Sequence, residues 1–311
     1  MKKIEKVVIF GGSGFIGSDL CIKLSEIASE ILVLSRNPDS NKDLKVIPNL
    51  KLKLFNLNDD KNIRESLKGC DVAINTIGIL NEDGDQNSFN SVHYELIERI
   101  SSAIKINNVK RLLHISSLNA DVYAPSQYLQ SKGRAEDYLL STTSKFSRVT
   151  IFRPSIVFGE NDSFFNRFDK LLKFLFIFPL ACPKSKFQPI YVSDLTDFMI
   201  STINNSEYYN IKVDAVGPKI YSFIELIRLI LKITERRRLI IPLNNLLSKI
   251  QAHVFQRLPG KIFTMDNYNS LQIESTSSDG YQGHSTVEEI VPKYLTSKNK
   301  IDSYRKISGR K

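Results

Sequence analysis

Strand-like and helix-like runs alternate along the first half of the chain. Lys6–Phe10 (KVVIF) is a short β-branched run that leads into glycines. Ser18–Ala28 then places Leu20, Leu24 and Ile27 on one helical face. Glu30–Leu34 predicts a second strand, and Val46–Phe55 a third with leucines at alternate positions. Ile63–Lys68 predicts a short helix and Val72–Thr76 (VAINT) a fourth strand. Tyr94–Asn107 carries Leu96, Ile97, Ile100 and Ile104 at helical spacing. Arg111–Ser116 is a fifth strand, Tyr128–Ser141 a helix and Val149–Phe152 a sixth strand. Strands separated by helices of this length imply a parallel sheet covered on both faces. After Gly159 the rhythm breaks. Aromatic and aliphatic residues cluster irregularly over Phe164–Phe178, Pro189–Val192 reads as a strand, and Leu195–Ile203, Phe223–Ile233 and Leu246–Leu258 read as helices.

The predicted fold class is therefore α/β: a Rossmann-type doubly wound parallel sheet with a smaller C-terminal α/β domain for substrate or interaction. The expected division is residues 1–160, with a return segment at about 188–204, then 161–297, then a basic tail over 298–311.

Composition narrows the function. The chain has 311 residues, is 42% hydrophobic and has a mean hydropathy of −0.17, as ordinary globular proteins do. Cys21, Cys70 and Cys182 are too far apart for a CxxC pair, so no disulfide framework or zinc site is implied. His93, His114, His253 and His284 form no HxxxH pair, and no metal site is expected. The longest apolar stretch, Leu171–Pro183, falls short of the ~20 residues that span a bilayer. The N-terminal apolar run flows into glycines rather than a cleavage site, so a cytoplasmic location is expected. The formal charge of +10 points to a polyanionic partner or to compositional drift. No nucleic-acid signature accompanies it, so nucleic acid is not expected.

Gly11-Gly12-Ser13-Gly14-Phe15-Ile16-Gly17 follows the first strand and opens a helix. In that context Gly11 permits the tight turn, Gly14 admits a pyrophosphate to the backbone, and Gly17 allows close packing. The diphosphate then meets the free N–H groups of Phe15 and Ile16 at the helix start. An acidic residue ending the second strand would hold the ribose of NAD. The chain instead has Ser35-Arg36, a hydroxyl and a cation suited to the 2′-phosphate, so NADP(H) is favoured over NAD(H). Asn56 and Leu57 fall where such folds contact adenine. Thr76, Ile77 and Gly78 are expected on the nicotinamide–ribose side.

Ser116 and Ser117 end the fifth strand, and Tyr128-Leu129-Gln130-Ser131-Lys132 follows eleven positions after Ser117. The i,i+4 spacing sets phenol and ammonium on one helical face. Lys132 would hold the ribose and lower the tyrosine pKa, Tyr128 would act as general acid or base, and Ser117 would orient a substrate oxygen.

This constellation resembles the short-chain dehydrogenase/reductase superfamily in its extended and atypical branches. Arg153-Pro154-Ser155-Ile156-Val157-Phe158-Gly159 is similar to the segment after the sixth strand of the extended branch, which adds Ser116 and Pro154 to the expected cofactor contacts. Glu160–Phe168, Phe187–Asp194 and Asp266–Leu271 look like a narrower group, the bacterial relatives of the nucleotide-binding accessory subunit (alpha subcomplex subunit nine) of respiratory complex I. The resemblance reaches to about Leu295. It implies either an NADP(H)-dependent oxidoreductase or epimerase-like enzyme acting on a lipophilic carbonyl or alcohol, quinone-related among the options, or a non-catalytic NADPH-bound accessory or assembly protein of a respiratory membrane complex.

Leu171–Pro183 reads as the wall of a lipophilic pocket, a membrane-facing lip, or ordinary core. Leu246, Ile250, Val254 and Leu258 recur every four residues beside Lys249, His253 and Arg257. With Arg236-Arg237-Arg238 and the basic tail, this helix suits either a peripheral seat on an anionic surface, on the cytoplasmic face of the inner membrane, or docking on its own domain. Asp194 is expected as a helix N-cap, and Arg153 as the partner of a substrate anion or of a carboxylate at the domain interface.

Overall fold

A computed structural model describes residues 4–38, 43–258 and 261–296. The predicted tail over 298–311 lies outside the described residues. The chain separates into two compact units, one running to Pro154 with Leu195–Asp214 added, the other made of Ser155–Asp194 and the residues from Ala215 onward.

The first unit is built on strands β1 (Ile4–Phe10), β2 (Ala28–Ser35), β3 (Leu50–Leu54), β4 (Val72–Asn75), β5 (Arg111–Ile115), β6 (Arg148–Pro154) and the first residues of β11 (Ile211–Val216). Their order is β11-β6-β5-β4-β1-β2-β3. β1 pairs in parallel with both β2 and β4, so the strand order reverses at β1. Ligands of open α/β sheets bind at that switch point, beyond the carboxyl ends of the strands. The connecting helices are α1 (Phe15–Leu24), α2 (Asp60–Ser66), α3 (Leu96–Asn107) and α4 (Gln127–Ser141).

β1, β4 and β5 are almost wholly buried, which is why they read as continuous apolar runs rather than alternating ones. The core joins Val8, Phe10, Leu32 and Leu112 of the sheet to Leu96, Ile97, Ile100 and Ile104 of α3. One departure from the predicted elements matters for the site. Asn90–Glu95 winds as a π-helical turn ahead of α3.

The second unit carries α5 (Phe165–Phe174), β8 (Ile177–Leu180), α7 (Phe223–Ile233), β13 (Leu239–Pro242), α8 (Asn245–Phe255) and α9 (Met265–Ser270). Between α5 and α7 lie two short strands, β9 (Lys186–Phe187) and β10 (Ile190–Tyr191). They pair with β12 (Tyr221–Ser222) and β7 (Val157–Phe158). β14 (Tyr281–Gln282) pairs with Ala215 and Val216, the last residues of β11, and is the eighth strand of the large sheet. α7 begins in a capping box between Ser222 and Glu225 and buries Phe223, Leu226, Ile227, Ile230 and Leu231. Each such side chain contributes about 1.5–3 kcal/mol by leaving water.

The aromatic run that reads as irregular is ordered. Asp162 Oδ1 accepts from the backbone N–H of Phe165 at 2.6 Å, its Oδ2 accepts from the Tyr294 hydroxyl at 2.7 Å, and α5 starts there. Asp194 does not cap α6 (Val192–Ser201). It lies within the first turn, and its Oδ2 accepts from the N–H groups of His284 and Ser285 at 2.9 and 2.8 Å.

Candidate functional site

The glycine loop turns at Gly11, whose φ of +80° is a left-handed conformation that side-chain-bearing residues rarely adopt. α1 opens after Gly14, and no side chain caps it. Ser18 N–H makes the first helical bond, to Gly14 O at 2.8 Å. The N–H groups of Phe15, Ile16 and Gly17 therefore precede the helical ladder and suit an anion. A Cβ at Gly17 would lie 2.3 Å from Gly11 O, so only glycine lets the helix sit this close to the loop. The cradle fits a dinucleotide diphosphate.

Ser35 ends β2 and is buried. Its hydroxyl lies 3.0 Å from Ser13 Oγ and ties the second strand to the glycine loop. It also accepts from Asn37 N–H at 3.3 Å. Arg36, next in line, is exposed. Asn56 is exposed, and its Oδ1 accepts from Asn58 N–H at 3.0 Å. Leu57 packs on the core. Thr76 Oγ1 donates towards Phe10 O and Gly11 O, holding the end of β4 on the loop after β1. Pro154 O accepts from Leu118 N–H at 3.0 Å, beyond the end of β5.

α4 is capped by Ser126, whose Oγ accepts from Leu129 N–H. Tyr128 lies in its first turn, half-buried, with its ring edge-to-face against Phe89 and His93 at 5.8 and 5.5 Å between centroids. One turn further on, Lys132 is buried and its Nζ donates to Ile115 O at 3.1 Å. Burial lowers its pKa to about 8, against an opposing pull from Glu136. Gly78 faces it: a Cβ there would stand 3.2 Å from Lys132 Nζ. An ammonium has three donors, and Ile115 O takes one of Lys132's.

The two serines after β5 point to different tasks. Ser116 Oγ donates to Glu136 Oε1 at 2.5 Å in a buried network. Arg153 Nε and Lys212 Nζ pair with the same carboxylate, each at 2.9 Å. Arg153 thus meets a carboxylate inside the first unit. Ser117 is half-buried, and among the described residues its hydroxyl makes a long 3.4 Å bond to Leu118 O.

Two histidines that no spacing rule singled out stand beside Lys132. His93, on the π-helical turn, accepts from Ile79 N–H at Nε2, so its proton is on Nδ1 and is donated to Ser131 Oγ at 2.8 Å. Ser131 in turn donates to Tyr128 O at 2.7 Å. On β5, His114 Nδ1 accepts from Asn75 Nδ2 at 3.1 Å, an amide oriented by Ile77 N–H bonding its oxygen. His114 Nε2 is a buried donor with no hydrogen-bond partner among the described residues. Burial and the Lys132 charge push both histidine pKa values well below 6.5, so both rings are neutral at neutral pH. The only sequence signal for His93 is its place in the segment after β4; the π-helical turn that aims it is a tertiary feature.

Elsewhere, the three cysteines are free and buried, and burial pushes Cys21 and Cys70 up to about 12, far from nucleophile range. Among the described residues no cluster of three metal-ligating side chains forms, and no helix is long and apolar enough to cross a membrane.

A parallel sheet with its glycine loop at the switch point and a YxxxK helix beside it defines a nucleotide-binding protein of the extended short-chain dehydrogenase/reductase kind. The chain belongs to the NAD dependent epimerase/dehydratase family, whose model matches residues 7–211. It is similar to the NADH dehydrogenase [ubiquinone] 1 alpha subcomplex subunit 9, mitochondrial, of Dictyostelium discoideum. Identity is 26% over 279 residues, 86% of this chain and 76% of that protein. A second relative is the sterol-4-alpha-carboxylate 3-dehydrogenase, decarboxylating, of the same organism. It is 28% identical over 51% of this chain and 56% of its own length. Among solved structures, Pal from Bacillus thuringiensis has the same fold, with a TM-score of 0.74 at 16% identity over 94% of this chain and 99% of that one.

Proposed function

We propose that the first unit binds NADP(H) and that the protein is an oxidoreductase or epimerase-like enzyme acting on a lipophilic carbonyl or alcohol. The observation that carries this reading is the buried Lys132 one turn after Tyr128, beside the strand ends that follow the glycine loop. Gly11, Gly14, Phe15, Ile16 and Gly17 would hold the diphosphate. Ser35 and Arg36 would hold the adenosine ribose and its 2′-phosphate, with Asn56 and Leu57 at the adenine. Thr76, Ile77, Gly78, Ser116, Tyr128, Lys132 and Pro154 would line the nicotinamide half. A nicotinamide held there would supply or accept a hydride at the substrate carbon.

The chain's own residues do the rest. Lys132 keeps donors for ribose hydroxyls, and its charge favours the ionised phenol of Tyr128. Tyr128 passes a proton to or from the substrate oxygen, and Ser117 orients that oxygen. A lipophilic substrate is favoured by the similarity to the sterol-4-alpha-carboxylate 3-dehydrogenase.

Tyr128→Phe should lower oxidation of NADPH by quinone-like or keto substrates about 100- to 10,000-fold, with NADPH affinity retained. Equal turnover by wild type and variant would remove Tyr128 from the chemistry. Arg36→Asp should reverse the ratio of NADPH to NADH affinity. An unaltered ratio would put the phosphate elsewhere.

The second reading is a non-catalytic, NADPH-bound accessory or assembly protein, peripheral to a respiratory membrane complex. The similarity to complex I subunits over most of the chain favours it. In that case bound dinucleotide stabilises the fold without turnover.

A further inference from the structure

One face of the second unit is apolar, exposed and one-sided in charge. β8 and β13 form a parallel ribbon in which Ile177 lies opposite Leu239, and Pro179 opposite Ile241. Phe178, Leu180 and Ile240 turn to the core. By the two-residue period of strands, Ile177, Leu239 and Ile241 turn outward, and all three are exposed. Phe176, just before the ribbon, is 73% exposed.

α8 is fastened to the ribbon by its polar side. Ser248 Oγ accepts from Cys182 N–H at 3.1 Å, and Gln251 Nε2 donates to Pro179 O at 3.0 Å. Ser248 and Ala252 are its buried residues. The opposite side presents Leu246, Ile250 and Val254, which are 68%, 51% and 49% exposed, with Leu258 exposed one turn beyond. A surface helix ordinarily turns its apolar stripe to the core. α8 turns it to solvent.

The segments that build this face carry charge of one sign. Residues 170–193 and 236–265, which supply the ribbon and α8, contain ten Lys and Arg and no Asp or Glu. That surplus equals the formal charge of the whole chain, +10, so the remainder is balanced. Lys249, His253 and Arg257 flank the α8 stripe and are exposed. Two of the three consecutive arginines are committed inside the unit. Arg236 pairs with Asp169 at 2.5 Å, and Arg238 Nε donates to Leu172 O at 2.8 Å while its guanidinium lies over the Phe176 ring.

We propose that this face seats the protein on an anionic lipid bilayer. α8 lies in the interface plane with Leu246, Ile250 and Val254 at the acyl boundary, and Lys249 and Arg257 at lipid phosphates. A second copy of the chain is a poor occupant, since it would set the exposed Lys249 and Arg257 of one α8 against those of another. The inference identifies the surface behind the peripheral attachment of the preceding reading, and it stands apart from cofactor choice and turnover.

The test is flotation of the full chain with vesicles. It should float with phosphatidylglycerol and phosphatidylcholine in equal parts and stay down with phosphatidylcholine alone. The triple variant Leu246→Ser, Ile250→Ser, Val254→Ser should lose flotation. Lys249→Gln with Arg257→Gln should weaken partitioning roughly thirtyfold. Both variants should bind NADPH as the wild type does, because the altered side chains are exposed. Flotation untouched by the triple variant would overturn this face while leaving attachment through another surface standing. Equal flotation with neutral vesicles would overturn it. So would a dimer in sedimentation that the triple variant dissolves, or capture by an acidic protein partner with no vesicle binding.

Discussion

Lys132 is held in the fold with a pKa of about 8, against 10.5 for an ordinary lysine, mainly by burial. Below pH 8 the folded chain carries a buried charge. Between about 8 and 10.5 the unfolded chain binds the extra proton, so stability rises with pH across that window. Lys132→Met should therefore raise stability at pH 7 by roughly 1–2 kcal/mol, after loss of the bond to Ile115 O, while weakening NADPH binding. Denaturant titration and ligand titration on one sample read both effects, and a variant that lost stability would contradict the burial account. His93 and His114 act in the same sense at lower pH. Their folded pKa values lie well below 6.5, so the stability they allow is present above that value. It is lost as pH falls below it, by about 1.4 kcal/mol per histidine per pH unit. Melting between pH 7 and 5 should show this slope, and His93→Gln should flatten it.

At the scale of elements, two positions expose what holds the site and the second core. Gly17→Ala places a methyl against Gly11 O and Gly12, both backbone, so α1 must move away from the loop. NADPH affinity should fall at least tenfold, about 1.4 kcal/mol, and calorimetric titration reads it directly. Ile227→Ala empties a fully buried position of α7 and should cost about 2–5 kcal/mol. A change under 1 kcal/mol would mean that the packing there is loose. The elements that local pattern could reveal were legible: α7 spans Phe223–Ile233 as its apolar spacing predicts, and the glycine loop sits between β1 and α1. The rest depends on distant partners. α5 turns Phe165, Phe168, Leu171 and Leu172 to the core and starts on Asp162, which Tyr294 completes from far along the chain. The π-helical turn at Asn90–Glu95 continues directly into the apolar spacing of α3, yet it carries His93 to Tyr128. Ser116 and Ser117 are adjacent in sequence, and only the buried Glu136 distinguishes them.

For the molecule as a whole, the +10 charge has acquired an address. Two segments of the second unit hold ten Lys and Arg and no Asp or Glu, among them the exposed Lys249 and Arg257 of α8, while the proposed nucleotide cradle in the first unit would depend on backbone donors, Arg36 and Lys132. The basic amphipathic helix was visible as a pattern, but the direction of its apolar stripe was not. Helical periodicity gives the angle between two faces and leaves open which one meets the core. The central claim is that the first unit binds a nicotinamide dinucleotide and prefers the phosphorylated form. Calorimetric titration of the full chain with NADPH and with NADH tests it most directly. The account predicts one saturable site per chain and a lower Kd for NADPH. A folded protein that gives no saturable heat with either dinucleotide would contradict it.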